Sequence, residues 1–122
     1  METKPFIAVY GKQFKINISL KVIDLLGTPA YITIYTNESM DSIALGVCEA
    51  DNVMSFKVPN KSKSSNQLFI TSKPFVTDIM QKNKLDTSKS YRIDGNYIED
   101  KNIVEFNLSE AYGIIRGTKN ND

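Results

Sequence analysis

Side chains able to do chemistry are sparse in this sequence. It contains no histidine and a single cysteine, Cys48. Without imidazole, the commonest general base near neutral pH and the commonest metal ligand are both missing. A Ser-His-Asp or Cys-His arrangement cannot be assembled within one chain, and a solitary thiol does not make an ordinary structural zinc site. Glu38 with Asp41 and Glu99 with Asp100 are close carboxylate sets. Such sets can exchange protons or hold a hard cation, but both fall in turn-like stretches, where carboxylates ordinarily face water. Neither a P-loop pattern nor Gly-x-Gly-x-x-Gly occurs, and Gly27-Thr28-Pro29 follows a helix pattern instead of opening one. Cys48 lies beside Val47 in an apolar stretch with no adjacent cation, which reads as a buried structural thiol. The expectation is a protein that is not an enzyme and binds no cofactor or metal.

Lysine supplies the most suggestive pattern. Lys57, Lys61, Lys63 and Lys73 surround a polar stretch, 59–66, rich in Ser and Asn. Ammonium groups neutralise phosphates while Ser and Asn donate hydrogen bonds, so this region is a candidate nucleic-acid contact. The plainer reading of the same stretch is a solubilising surface loop. Tyr31, Tyr35, Tyr91 and Tyr97 are candidate interface anchors, although half-buried tyrosine is ordinary on strands.

The elements that must position these groups follow from hydrophobic period. Phe6–Tyr10 is apolar on both faces and predicts a central strand, with a turn at Gly11-Lys12. Phe14, Ile16 and Ile18 alternate with polar residues, the period of a half-buried strand. Ser19 is placed to cap a short helix with Val22, Ile23, Leu25 and Leu26 inward, stopped by Gly27 and Pro29. Tyr31–Tyr35 and Ser42–Cys48 predict a hairpin around the polar turn 37–41, with Ile43, Leu45 and Val47 in phase. Val53–Val58 puts Met54, Phe56 and Val58 on one side, and Leu68 with Ile70 marks another strand. Ser72 or Thr71 caps a second helix that has Pro74 in its first turn and Phe75, Val76, Ile79 and Met80 inward. Asp94-Gly95 between two apolar runs is a hairpin signal. Val104, Phe106 and Leu108 share the face of a last strand.

Both halves thus read as strand, capped helix and hairpin. A shift of 54 positions superposes Ile16 on Ile70, Val22 on Val76 and Asp24 on Asp78; after an insertion, Tyr31 falls on Tyr91 and Ile43 on Ile103. Any amphipathic helix between strands would align comparably, so duplication and coincidence both stay open. The expected fold is α+β: an antiparallel, partly barrel-like β-sheet with two short helices and room for a pseudo-twofold repeat.

With 122 residues, 1–117 read as one domain and 118–122 as a frayed tail. Hydrophobic residues at 41% allow a real core, and 15 basic against 14 acidic residues leave a net charge of +1. That balance argues against an obligate polyanion binder and against an acidic mimic of DNA. One cysteine excludes a disulfide scaffold. No run approaches the roughly 20 apolar residues of a membrane span, so the expectation is a cytoplasmic protein that makes no membrane contact.

Ile16-Asn-Ile-Ser-Leu20, Gly27-Thr-Pro-Ala-Tyr31-Ile, Ile43-Ala-Leu45, Ile70-Thr-Ser72 with Phe75, and Val104-Glu-Phe-Asn-Leu-Ser109 resemble a family of small uncharacterised proteins. These occur in bacterial chromosomes, phages and mobile elements, and the resemblance spans nearly the whole chain through apolar spacing. It implies a phage or mobile-element setting, where some small proteins inhibit host defence systems. The first half also resembles the AbrB-type swapped-hairpin domain, which binds DNA as a homodimer. Only Lys12 and Lys15 stand near the first hairpin here, and the second half is extra. The leading expectation is a small non-enzymatic binding or regulatory protein acting through contacts with a protein partner. The alternative is an AbrB-like nucleic-acid-binding regulator using the basic 57–73 region.

Overall fold

Period-two alternation becomes a single antiparallel sheet that curls on itself. The computed structural model describes residues 4–52, 55–58 and 68–114. In chain order these form β1 (Phe6–Tyr10), β2 (Lys15–Ile18), α1 (Leu20–Leu25), β3 (Tyr31–Thr36), β4 (Ser42–Val47) and β5 (Phe56–Lys57). There follow β6 (Leu68–Thr71), α2 (Lys73–Lys82), β7 (Ser90–Ile98), β8 (Ile103–Asn107), a 3-10 turn (Leu108–Glu110) and β9 (Tyr112–Gly113). The strands lie in the order β5-β3-β4-β8-β7-β1-β2-β6, with β9 added beside β7. Every pairing among the described residues is antiparallel. The sheet is nearly closed and barrel-like, and with its two helices it is an α+β fold.

The barrel turns on β7. Its first half pairs with β1, Tyr91 opposite Val9 and Ile93 opposite Ile7. Its second half pairs with β8, Gly95 opposite Phe106 and Tyr97 opposite Val104. The sequence signal at Asp94-Gly95 therefore does not make a hairpin; both residues lie inside one continuous strand of nine residues. The reason is steric. A Cβ on Gly95 would come within 2.5 Å of the Phe106 ring and 3.0 Å of Val104. The glycine is the space that the phenyl ring fills, and glycine inside a strand commonly marks such a close approach. The real β7–β8 turn is Glu99–Asn102, where Asn102 adopts φ 52° and its amide donates to the Glu99 carbonyl.

Inward rows from all sides meet in one core. Ile7, Val9, Ile16, Ile18 and Ile93 join Ile32, Ile43, Leu45, Val104 and Phe106 from the other half of the sheet. Val22, Ile23 and Leu26 from the first helix and Val76, Ile79 and Met80 from the second pack into the same cluster. Val47 departs from its expected phase: at the end of β4 it is 43% exposed. The expected 53–58 strand is realised as Phe56–Lys57, and Val53 and Met54 lie outside the described residues.

Helix ends follow the sequence in part. Gly27 stops α1 with φ 89°, and Ser72 caps α2, its Oγ accepting from the Phe75 amide at 3.4 Å. Ser19 stands at the N-cap of α1 but makes no cap bond with its side chain. Its Oγ instead accepts from the Phe6 amide at 3.0 Å, while its own amide donates to the Phe6 carbonyl. The buried serine thus stitches the end of β2 to the start of β1.

Replacing Gly95 with alanine should destabilise the fold by about 1–3 kcal/mol, because the added methyl would overlap the fully buried Phe106 ring. Urea denaturation of G95A against the wild type reads this directly, and a change under about 0.5 kcal/mol would contradict the packing described.

Candidate functional site

Among the described residues, one seam of the barrel is unpaired. β3 is paired by β5 only at Tyr31 and Ile32; beyond Ile32 no described residue pairs with that edge. At the other end of the strand order, β6 has only β2 as a neighbour among the described residues. Between these two edges opens a cleft of about 330 Å³. Ile34 and Thr36 of β3, Met40 and Phe56 line one side, and Ile70, Ser72 and Phe75 line the other. Except for two hydroxyls and backbone, the surface is aliphatic, aromatic or thioether.

Local chemistry holds both walls. On the α2 side, the Ser72 cap fixes the first turn that carries Phe75. On the β3 side, Met40 sits at φ 59° in the 37–41 turn. Asn37 organises that turn: its Oδ1 accepts from the Ser42 amide, and its Nδ2 donates to Asp41. Asn83, just past α2, straps the walls together. Its Nδ2 donates to the Met40 carbonyl at 3.0 Å and to the Ile79 carbonyl at 2.7 Å. The Leu108 amide adds a bond to the Asp41 carbonyl at 2.9 Å.

The basic candidates are distributed around this region. Lys57 lies on β5 opposite Tyr31 and is exposed. Lys73 opens α2, its ammonium 5.3 Å from the centre of the Phe14 ring. They flank the cleft in sequence, each next to a lining residue, Phe56 and Ser72. Lys61 and Lys63 lie outside the described residues, as does the polar stretch 59–66. Sequence reasoning weighted these lysines and passed over Ile34, Met40 and Asn83. An asparagine directly after a helix is a recognisable signal, but its reach to Met40 depends on contacts 43 residues apart.

The carboxylate sets belong to turns. Glu99 and Asp100 are exposed between β7 and β8, and Glu38 is exposed in the 37–41 turn. Hydrogen bonds from Asn37 and then Ser39 hold the Asp41 carboxyl below the usual aspartate range. Among the described residues, no group of three or more His, Cys, Asp or Glu could hold a metal ion. Cys48 lies just past β4 and is half-buried, short of the full burial expected. Desolvation, then the charges of Glu49 and Asp51, push its thiol up. Among the described residues, no helix is long and apolar enough to cross a membrane. Known protein families, curated proteins and solved structures contain no match to this chain.

Two titrations test this geometry. Because the folded pKa of Asp41 is depressed, its contribution to the turn is present above about pH 3.9 and fades as pH falls through the folded value. NMR should place the Asp41 midpoint below that of a model aspartate, and Asn37→Ala should move it up. Alkylation of Cys48 in the native protein should require more alkaline solution than a free thiol of pKa about 8.5; urea-unfolded protein should react at the ordinary pH.

Proposed function

We propose that this chain is a non-enzymatic binding protein that acts through protein–protein contacts, taking an extended, apolar segment of a partner into the open seam. The observation that carries this reading is the coincidence of an apolar cleft with two strand edges that have no described partner beside it. Unpaired edges offer main-chain hydrogen bonds to an added strand, and pockets for alternate side chains select its sequence. A strand entering here would gain both, with its apolar side chains against Ile34, Phe56, Ile70 and Phe75. Blocking a host defence system, in the setting that the sequence resemblance implies, is one form this action would take. We read the two strand–helix–hairpin units as a duplicated pair; the pairing of β2 with β6 at Ile16 and Ile70, and of β4 with β8, supports that reading.

Panning a random peptide display library on the immobilised protein should enrich segments with apolar residues at alternate positions. Adding such a peptide should slow hydrogen exchange of amides in 33–36 and 68–71. The double variant Ile34→Glu with Phe75→Glu should bind about tenfold more weakly or not at all. Recovery of no alternating sequence, or exchange protection confined to other strands, would remove the seam from consideration even if the double variant fails to fold.

A further inference from the structure

The outer face of the β7-β1-β2-β6 half carries a second arrangement, on the side of the sheet away from the cleft lining and ending at Phe69 on the seam's edge strand β6. Register places one continuous cross-strand row there: Tyr112, Arg92, Ala8, Asn17 and Phe69, of which the middle pair, Ala8 at 2% and Asn17 at 6%, is buried. Its two ends are aromatic and exposed, Phe69 at 45% and Tyr112 at 48%. At about 4.8 Å per strand they stand roughly 19 Å apart along the row. Two cations are fixed on the same face by aromatic rings. The Lys15 ammonium lies 4.4 Å from the centre of Phe69, and the Arg92 guanidinium lies 3.8 Å from the centre of Phe6. Arg92 is also held by Asp94, Nε to Oδ1 at 3.1 Å.

One edge of this face runs into a second cavity, also about 330 Å³, and Tyr10 and Ser90 line it. Lys12, Gln13, Ser88 and Lys89 complete its polar lining, which includes no carboxylate. Two turns build it by abutting without side chains between them. The Gly11 amide donates to the Lys89 carbonyl at 3.1 Å, and a Cβ on Gly11 would fall 2.1 Å from the Thr87 carbonyl oxygen. The nearby Asp86 carboxylate accepts from the Ser88 amide and hydroxyl, which turns it toward its own loop. Lys12, Lys89, Gln13 and Ser90 thus line one hollow at the end of the aromatic face, while the Ser88 hydroxyl donates to Asp86.

We propose that this face binds single-stranded nucleic acid, with bases stacked on Phe69 and Tyr112 and backbone phosphates at Lys15, Arg92 and the Lys12–Lys89 hollow. Aromatic platforms beside a cationic groove are what sequence-tolerant single-strand binding requires. A duplex hides its base faces and gains nothing from exposed rings. The chain's near-neutral net charge is compatible with this, because the cations are concentrated locally. The proposal is independent of the seam and of Lys57, so failure of either reading leaves the other standing.

The test is fluorescence anisotropy of the full chain with a labelled single-stranded oligonucleotide of about ten nucleotides and the matching duplex. Binding to the single strand should weaken as salt rises, and the duplex should bind about tenfold less well. Phe69→Ala and Tyr112→Ala should each weaken single-strand binding by about tenfold, with unchanged melting temperature because both rings are exposed. Lys12→Ala with Lys89→Ala should flatten the salt dependence. Absence of binding at low salt, equal binding of the duplex, or indifference to both aromatic substitutions would each overturn the proposal; the last would mark nonspecific polyanion attraction only.

Discussion

The contact between Gly95 and Phe106 is what the barrel depends on. One strand, β7, must leave β1 and take up β8 without interruption. A side chain at residue 95 would occupy the volume in which the ring lies, and the ring is fully buried. Removing the side chain lets the two backbones curve together and lets phenyl replace what would otherwise be a void. Closely packed interiors tolerate little error at such a point. Both halves of the sheet, and the two helices on their shared core, are connected through this junction.

Among the described residues the sheet stops short of closing. β5 supplies two residues to β3 and then ends as a described strand, so the β3 edge runs on past its partner. The walls of the resulting cleft are not left loose. Ser72, Asn37 and Asn83 each use a side chain to fix backbone that would otherwise drift, and Asn83 does so across the opening itself. An apolar hollow bounded by tied walls is preorganised, and preorganisation reduces the entropy lost when a segment enters. On the outer face a different device operates, in which cations are stacked on rings and so held in place.

Much of the fold was legible in the sequence because it rests on local period and local capping. The alternation at Ile16 and Ile18, the inward faces of both helices, Gly27 as a stop and Ser72 as a cap all follow from neighbours within a turn or two. The failures share a cause. Asp94-Gly95 has the composition of a tight turn, yet its glycine answers to a ring eleven residues on. Ser19 has the right position for a cap, yet its hydroxyl serves β1, thirteen residues back. Val47 keeps the phase of Ile43 and Leu45 but lies where the strand leaves the core. The candidate surfaces were less legible than the fold, since both are made by strands distant in sequence. The lysines were conspicuous by type; Ile34, Asn83, Phe69 and Tyr112 matter by placement alone.

Strand order also governs how this chain must be made. β1 is flanked on one side by β7, so Ile7 meets Ile93 only after roughly 85 further residues have emerged. At ~5–20 residues per second, that is a wait of roughly 4–17 s on the ribosome. Throughout it Phe6–Tyr10, apolar on both faces, has at most β2 beside it. Pairings this remote in sequence place the protein among slow folders. A nascent polypeptide of this design therefore needs shielding early in translation, and truncations that remove β7 would leave its first hydrophobic segment permanently without a mate.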